Sequence, residues 1–129
     1  MAHFLCDYLN MLQKQFRLQK KSAFSATYRI KHSYCVAGVV VWVGKKKTDK
    51  AFTTKAGFVV SKKTHKRAVK RNRLKRLMRE SYRLLLKEEK IPKSQQYLSL
   101  IFVGFERALE HDFFRMKEII YNLLTNIRG

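Results

Sequence analysis

The stretch from Ser61 to Arg83 holds eleven lysines and arginines against one acid, Glu80. That composition suits one kind of chemistry, the holding of phosphate oxygens. Lysine offers a point charge, and the planar arginine fork can grip a phosphate with two hydrogen bonds. No glycine or proline interrupts the stretch, and most of its residues are good helix formers. Leu74, Leu77, Met78, Ser81 and Leu85 recur at the spacing of one helical face, while Asn72, Lys75, Arg76, Arg79 and Arg83 recur on roughly the opposite one. A solvated helix face normally mixes charge signs at i,i+4, and like charges at that spacing repel. An amphipathic helix with a nearly all-cationic outer face therefore points to a polyanion as its usual neighbour.

Residues able to break bonds are harder to find. His3, His32, His65 and His111 show no metal-ligand spacing with one another or with Cys6 and Cys35. Glu88-Glu89 is the only adjacent acidic pair, and it reads as a solvated helix end rather than an acid/base dyad. Phosphodiester hydrolysis commonly needs metal ions to activate water and stabilise the leaving oxygen, and a chain with formal net charge +20 is a poor host for them. We therefore expect no catalytic set inside the polypeptide.

The elements that must position the basic stretch follow from the rest of the chain. With 129 residues, 46% hydrophobic and 12% aromatic, one domain can bury roughly two-thirds of its unfolded surface. Twenty-nine basic residues against nine acidic ones favour nucleic acid first and an anionic membrane second. The two cysteines form no framework and are expected as free thiols. No apolar run approaches the ~20 residues of a membrane span. Met1 to Leu12 contains Asp7 and Asn10 and makes a poor signal peptide, so the cytoplasm is the expected compartment. Residues 1–15 read as an extension, with Phe4, Leu5, Tyr8, Leu9 and Leu12 at helical spacing, and 16–129 as the domain.

Ser22 is a candidate N-cap for a short helix to about Ile30 that bears Phe24 and Tyr28 one turn apart. Val36–Val43 reads as a strand with two apolar faces, and Thr54–Lys62 as the next, joined most simply as an antiparallel pair across the charged loop Gly44–Lys50. Thr64 is a candidate N-cap for the basic helix, which should end near Pro92. Tyr97–Val103 is a further strand, and Asp112 could cap a last helix with an apolar stripe through Met116, Ile120, Leu123 and Leu124. The economical architecture is one α+β domain.

Ala68-Val69-Lys70-Arg71-Asn72-Arg73-Leu74-Lys75-Arg76-Leu77-Met78-Arg79-Glu80 closely resembles the Arg-Asn-Arg signature of the bacterial ribonuclease P protein component, and Gly57–Lys63 resembles the strand leading into it. The similarity covers roughly Phe16 to the C-terminus, and it is strong only from Gly57 to Arg83. It implies a four-stranded sheet with helices packed on one face, the ribosomal-S5-domain-2-like fold with its left-handed βαβ crossover. It also implies a function: binding a large catalytic RNA and helping it remove the 5′ leader of precursor tRNA. Magnesium would then be held mainly by the RNA. By position, Arg71, Asn72, Arg73, Lys75 and Arg76 would face RNA phosphates, with Lys62, Lys63, Lys70 and Arg79 beside them. Phe24, Tyr28 and Trp42 would line the cleft for the single-stranded leader, where stacking tolerates any base. The partners implied are ribonuclease P RNA and precursor tRNA, with no membrane and a monomer when free.

One departure stands out. Many members have three residues, one a glycine, between the Lys-Lys pair and Ala-Val, whereas Thr64-His65-Lys66-Arg67 fills the gap here. The turn into the helix must be built differently, which bears on where Lys62 and Lys63 point. The competing reading is a structural, ribosomal-type RNA-binding protein with no role in turnover. It needs the basic helix but not the aromatic cleft. Membrane-surface binding is weaker, because the apolar stripe would be needed for both core and lipid.

Overall fold

The computed structural model describes residues 12–128. In chain order the elements are α1 (Lys21–Arg29), β1 (His32–Val36), β2 (Val39–Val43), β3 (Lys55–Val59), α2 (Ala68–Lys87), β4 (Ser99–Gly104) and α3 (Phe113–Thr125). Short 3-10 turns cover Lys14–Phe16, Ser94–Gln96 and Glu106–Glu110. Most of the proposed N-terminal extension, residues 1–11, lies outside the described residues.

The four strands form one sheet in the order β1-β2-β4-β3. The expected antiparallel pairing of the second and third strand segments is not made. β4 lies between them, antiparallel to β2 and parallel to β3. A parallel neighbour needs a long crossover, and the 20 residues of α2 supply it. The expected strand Val36–Val43 is in fact a hairpin. Ala37 and Gly38 take φ of 49° and 87°, the two left-handed residues of a tight hairpin turn, and His32–Val36 pairs back onto Val39–Val43. A Cβ on Gly38 would also sit 2.8 Å from the Ala108 backbone nitrogen. His32-Ser33-Tyr34-Cys35 carries no apolar run, so no hydrophobic pattern marks this strand.

Alternation sorts the sheet into two faces. Val39, Val41, Val43, Ala56, Phe58, Leu100 and Phe102 share one face, as their register requires. All but Phe58 are buried, as are Leu74, Met78, Tyr82 and Leu85 of α2 and Met116, Ile119, Ile120, Leu123 and Leu124 of α3. α2 comes so close that a Cβ on Gly104 would lie 2.7 Å from a Leu74 methyl. Leu77 is only half-buried at the edge of this core, and Tyr82 takes the interior place. The helices expected on one face are thus α2 and α3. The shorter α1 lies against the other face, where a Cβ on Gly57 would meet the Phe24 ring at 2.6 Å.

Of the three expected caps, one is made. Asp112 accepts a hydrogen bond from the Arg115 N–H at 2.8 Å. α1 starts at Lys21, before Ser22, and α2 starts at Ala68, four residues after Thr64; neither has a side-chain cap. α2 ends in a left-handed Glu89 (φ 55°), with the Lys90 N–H on the Leu85 carbonyl at 3.2 Å, which stops the helix before Pro92.

Candidate nucleic-acid interface

The turn into α2 is built by side chains of the basic stretch. The Thr64 N–H donates to the Ser61 carbonyl at 3.0 Å, and the Thr64 hydroxyl reaches the Gly104 carbonyl at 3.4 Å. The Arg67 N–H donates to His65 Nδ1 at 3.0 Å. Arg71 Nη1 then donates to the His65 and Lys66 carbonyls at 2.8 and 2.7 Å. The four-residue gap is therefore a loop folded back on the first turn of the helix and braced by Arg71. That brace is what the sequence could not supply. It makes Arg71 half-buried and gives it a role in shaping the loop.

Around the brace, Lys62, Lys63, Lys70, Asn72, Arg73 and Arg76 are exposed, and Lys75 is half-buried. The N-terminus of α2 has no side-chain cap and no acid in its first turn, so its free N–H groups add to the positive field of the loop. Glu80 is taken by Arg83 at 2.6 Å. Arg79 departs from the expected outward face. It is half-buried at the seam between helix and sheet, with Cζ 6.0 Å from the centre of the Phe58 ring.

On the opposite face the three expected aromatics come together. Phe24 lies over Gly57, and the rings of Tyr28 and Trp42 meet edge to face at 5.3 Å. α1 is pinned there by buried Thr27, whose hydroxyl lies 2.5 Å from the Ser99 hydroxyl. Phe24, Tyr28 and Trp42 each stay half-buried, and burial raises the Tyr28 phenol above its ordinary pKa. Val40, Val59 and Val103 continue the same face beyond the helix and are also half-buried. The result is an apolar, aromatic-edged trough, open to solvent, that runs toward Ser61–Lys63 at the end of β3. Such a surface can stack unpaired bases while cations at its end meet the backbone. On the far side of α1 a cavity of about 580 Å³ opens toward Phe52, lined by Leu18, Ala23 and Leu98.

The adjacent acids Glu88 and Glu89 are both engaged in structural contacts. Glu88 is bonded to Lys117 at 3.0 Å and lies 3.8 Å from Lys90, and the Lys117 hydrogen bond holds its carboxyl below the usual range. Glu89 serves the helix end. Among the described residues no group of three or more His, Cys, Asp or Glu could hold a metal ion, and no helix is long and apolar enough to cross a membrane. Cys35 is an exposed free thiol, while Cys6 lies outside the described residues.

A family model described as Ribonuclease P matches residues 12–128. The ribonuclease P protein component of Clostridium botulinum (strain Loch Maree / Type A3) is 32% identical over 111 residues, 86% of this chain and 93% of that protein. The solved ribonuclease P protein of Thermotoga maritima is 27% identical, with a TM-score of 0.70 over 88% of this chain and 98% of that one. A Staphylococcus aureus RNase P protein, at 22% identity and a TM-score of 0.69, shares the fold. With the Arg-Asn-Arg helix, the crossover sheet and a match along its whole described length, this chain belongs to the ribonuclease P protein family.

Proposed function

We propose that this chain is the accessory protein subunit of ribonuclease P, with catalysis carried by the RNA subunit in tRNA 5′ maturation. The observation that carries the reading is the pairing of two surfaces on one small domain. The α2 surface, with Arg71, Asn72, Arg73, Lys75 and Arg76 and flanked by Lys62, Lys63, Lys70 and Arg79, supports binding to the catalytic RNA. The trough edged by Phe24, Tyr28 and Trp42 supports binding of the unpaired leader. A purely structural RNA-binding protein would need only the first. Among the described residues no acidic cluster fits a magnesium ion, so we assign magnesium to the RNA and derive no protein step through it. The protein's share is affinity for substrate and screening of repulsion between two RNAs. In this reading it works in the cytoplasm as a free monomer that joins ribonuclease P RNA and precursor tRNA.

The test mixes the protein with a bacterial ribonuclease P RNA and precursor tRNA at low magnesium, where leader cleavage should rise. Phe24→Ala or Tyr28→Ala should then weaken binding of leader-bearing precursor by about 1–3 kcal/mol for each stack lost, and leave mature tRNA almost unaffected. Equal losses on both substrates, in variants shown to be folded, would remove the trough from the account. No stimulation by the parent protein would remove the function.

A further inference from the structure

One guanidinium, that of Arg17, lies apart from the Arg-Asn-Arg surface and has no partner of opposite charge among the described residues. The segment before α1 runs along the outer edge of β3: Arg17 bridges Ala56 in parallel fashion, and the Leu18 N–H donates to the Ala56 carbonyl at 2.9 Å. Ala56 and Phe58 face α2, and a residue paired with Ala56 points the same way. Arg17 is therefore turned beneath the flank of the basic helix. Its Nε is buried and makes no hydrogen bond. Arg79 reaches the same seam from above and packs over Phe58. Burial, then Arg17, then Arg76, lower the pKa of Arg79, which places Arg17 and Arg76 within electrostatic reach of Arg79.

The ion pairs among the described residues join Arg83 with Glu80, Glu88 with Lys90 and Lys117, and Arg115 with Glu118; none includes Arg17, Arg76 or Arg79. Folded proteins rarely leave a buried donor unsatisfied, and gathering like charges in a partly dry seam opposes folding. An oxyanion would relieve both costs at once, by accepting from the idle Nε and by neutralising the neighbouring forks.

We propose that Arg17, Arg76 and Arg79 form a phosphate pocket at the edge of β3 that takes one backbone phosphate of the catalytic RNA. This rests on the function proposed above and adds a contact outside the Arg-Asn-Arg motif, supplied from the segment before the first helix. Because the pocket lies on the α2 side of the sheet, away from the aromatic trough, the catalytic RNA rather than the leader is its occupant.

Arg17→Met keeps an unbranched stem and removes the charge. In the full chain it should weaken binding to a bacterial ribonuclease P RNA by about tenfold. It should also reduce the slope of log affinity against log salt by about 0.9, one duplex phosphate's worth. The melting temperature of the free protein, in buffer without multivalent anions, should stay level or rise, because an unsatisfied buried group has gone. A residue that merely packs would do the reverse, lowering the melting temperature and leaving the slope intact, and that result overturns the pocket. A slope change seen only when the assembled holoenzyme binds precursor tRNA would also overturn it, by giving the phosphate to the substrate. Should Arg17→Met fail to fold, Arg17→Lys serves: it should keep the slope yet lose affinity, since the fork is gone. Unchanged affinity in Arg17→Lys refutes the fork. If the parent protein itself does not bind the RNA, the fault lies with the proposed function and not with the pocket.

Discussion

The two faces of the sheet carry aromatic clusters of similar size and opposite fate. On the α2/α3 side, Phe58, Tyr82 and Phe102 pack together, with Phe58 and Phe102 stacked at 5.3 Å and Tyr82 and Phe102 at 5.5 Å. Two helices of 20 and 13 residues close over them, and Tyr82 and Phe102 lose all contact with water. On the other side Tyr28 and Trp42 meet at a similar 5.3 Å and Phe24 lies over Gly57, but one helix of 9 residues is their cover. At about 1.5 Å per residue such a helix spans roughly 14 Å, too short to roof a four-stranded sheet in every direction. Aromatic content therefore does not distinguish core from binding surface. What decides is how much helix the chain supplies to each face, and here it leaves one face half-covered.

The sharpest way to break this contrast is to remove side chains from the closed face. Leu74 is fully buried where α2 crosses Gly104, so Leu74→Ala should cost about 2–5 kcal/mol in a urea melt. RNA affinity per folded molecule should hold. A loss below about 1 kcal/mol would mean that α2 is not seated on the sheet as described.

Tyrosine ionisation sharpens the contrast further, because burial raises the pKa of Tyr82 on the closed face and of Tyr28 on the open one. Tyr82, on the closed face, is pushed up to about 12, with the hydrogen bond from Gln95 opposing the shift; Tyr28, on the open face, is raised by burial alone. A folded pKa above the unfolded value near 10 gives stability that is whole below pH 10 and is lost as pH climbs through the folded value. Tyr82 alone should remove up to about 1.4 kcal/mol per pH unit between pH 10 and 12. Ultraviolet titration should show Tyr82 ionising only with unfolding. Tyr82→Phe should flatten the alkaline loss, and Tyr28→Phe should change it less. Simultaneous ionisation of both tyrosines in a still-folded protein would contradict the burial difference.

Much of this was legible in the sequence, and the failures have physical causes. The basic helix and its Leu74–Met78–Leu85 stripe were readable because 20 residues give a periodic pattern time to show. Asp112 was readable as a cap because its side chain acts within three residues. The position of β4 between β2 and β3 was not, since strand order depends on contacts far apart in the chain. The roles of Arg17 and Arg71 were equally hidden: to composition both are surface cations. Only the folded chain turns one under a helix flank and the other onto the His65 and Lys66 carbonyls. The aromatic trio was identified through the family resemblance, as spacing alone left Phe24 and Tyr28 equally suited to a core.

The smallest expected effect is also the most direct comparison of the two faces, because one change can be made on each. Gly104 and Gly57 are both strand glycines. An added Cβ would lie 2.7 Å from a Leu74 methyl at the first and 2.6 Å from the Phe24 ring at the second. At Gly104 the obstructing methyl is enclosed, with the Met78 methyl also 3.3 Å away, so Gly104→Ala must move α2 and should cost about 1–3 kcal/mol. At Gly57 the obstructing atoms are the tip of a half-exposed ring that can swing toward solvent. Gly57→Ala should therefore cost about 1 kcal/mol less than Gly104→Ala, near the low end of overpacking. Binding should reverse the order. A displaced Phe24 should lower affinity for leader-bearing precursor relative to mature tRNA, while Gly104→Ala should leave that ratio alone. Paired urea melts and paired binding titrations measure both quantities. If the two variants lost equal stability and neither moved the leader ratio, the open face would be as rigidly filled as the closed one, and the trough would have no room for a base.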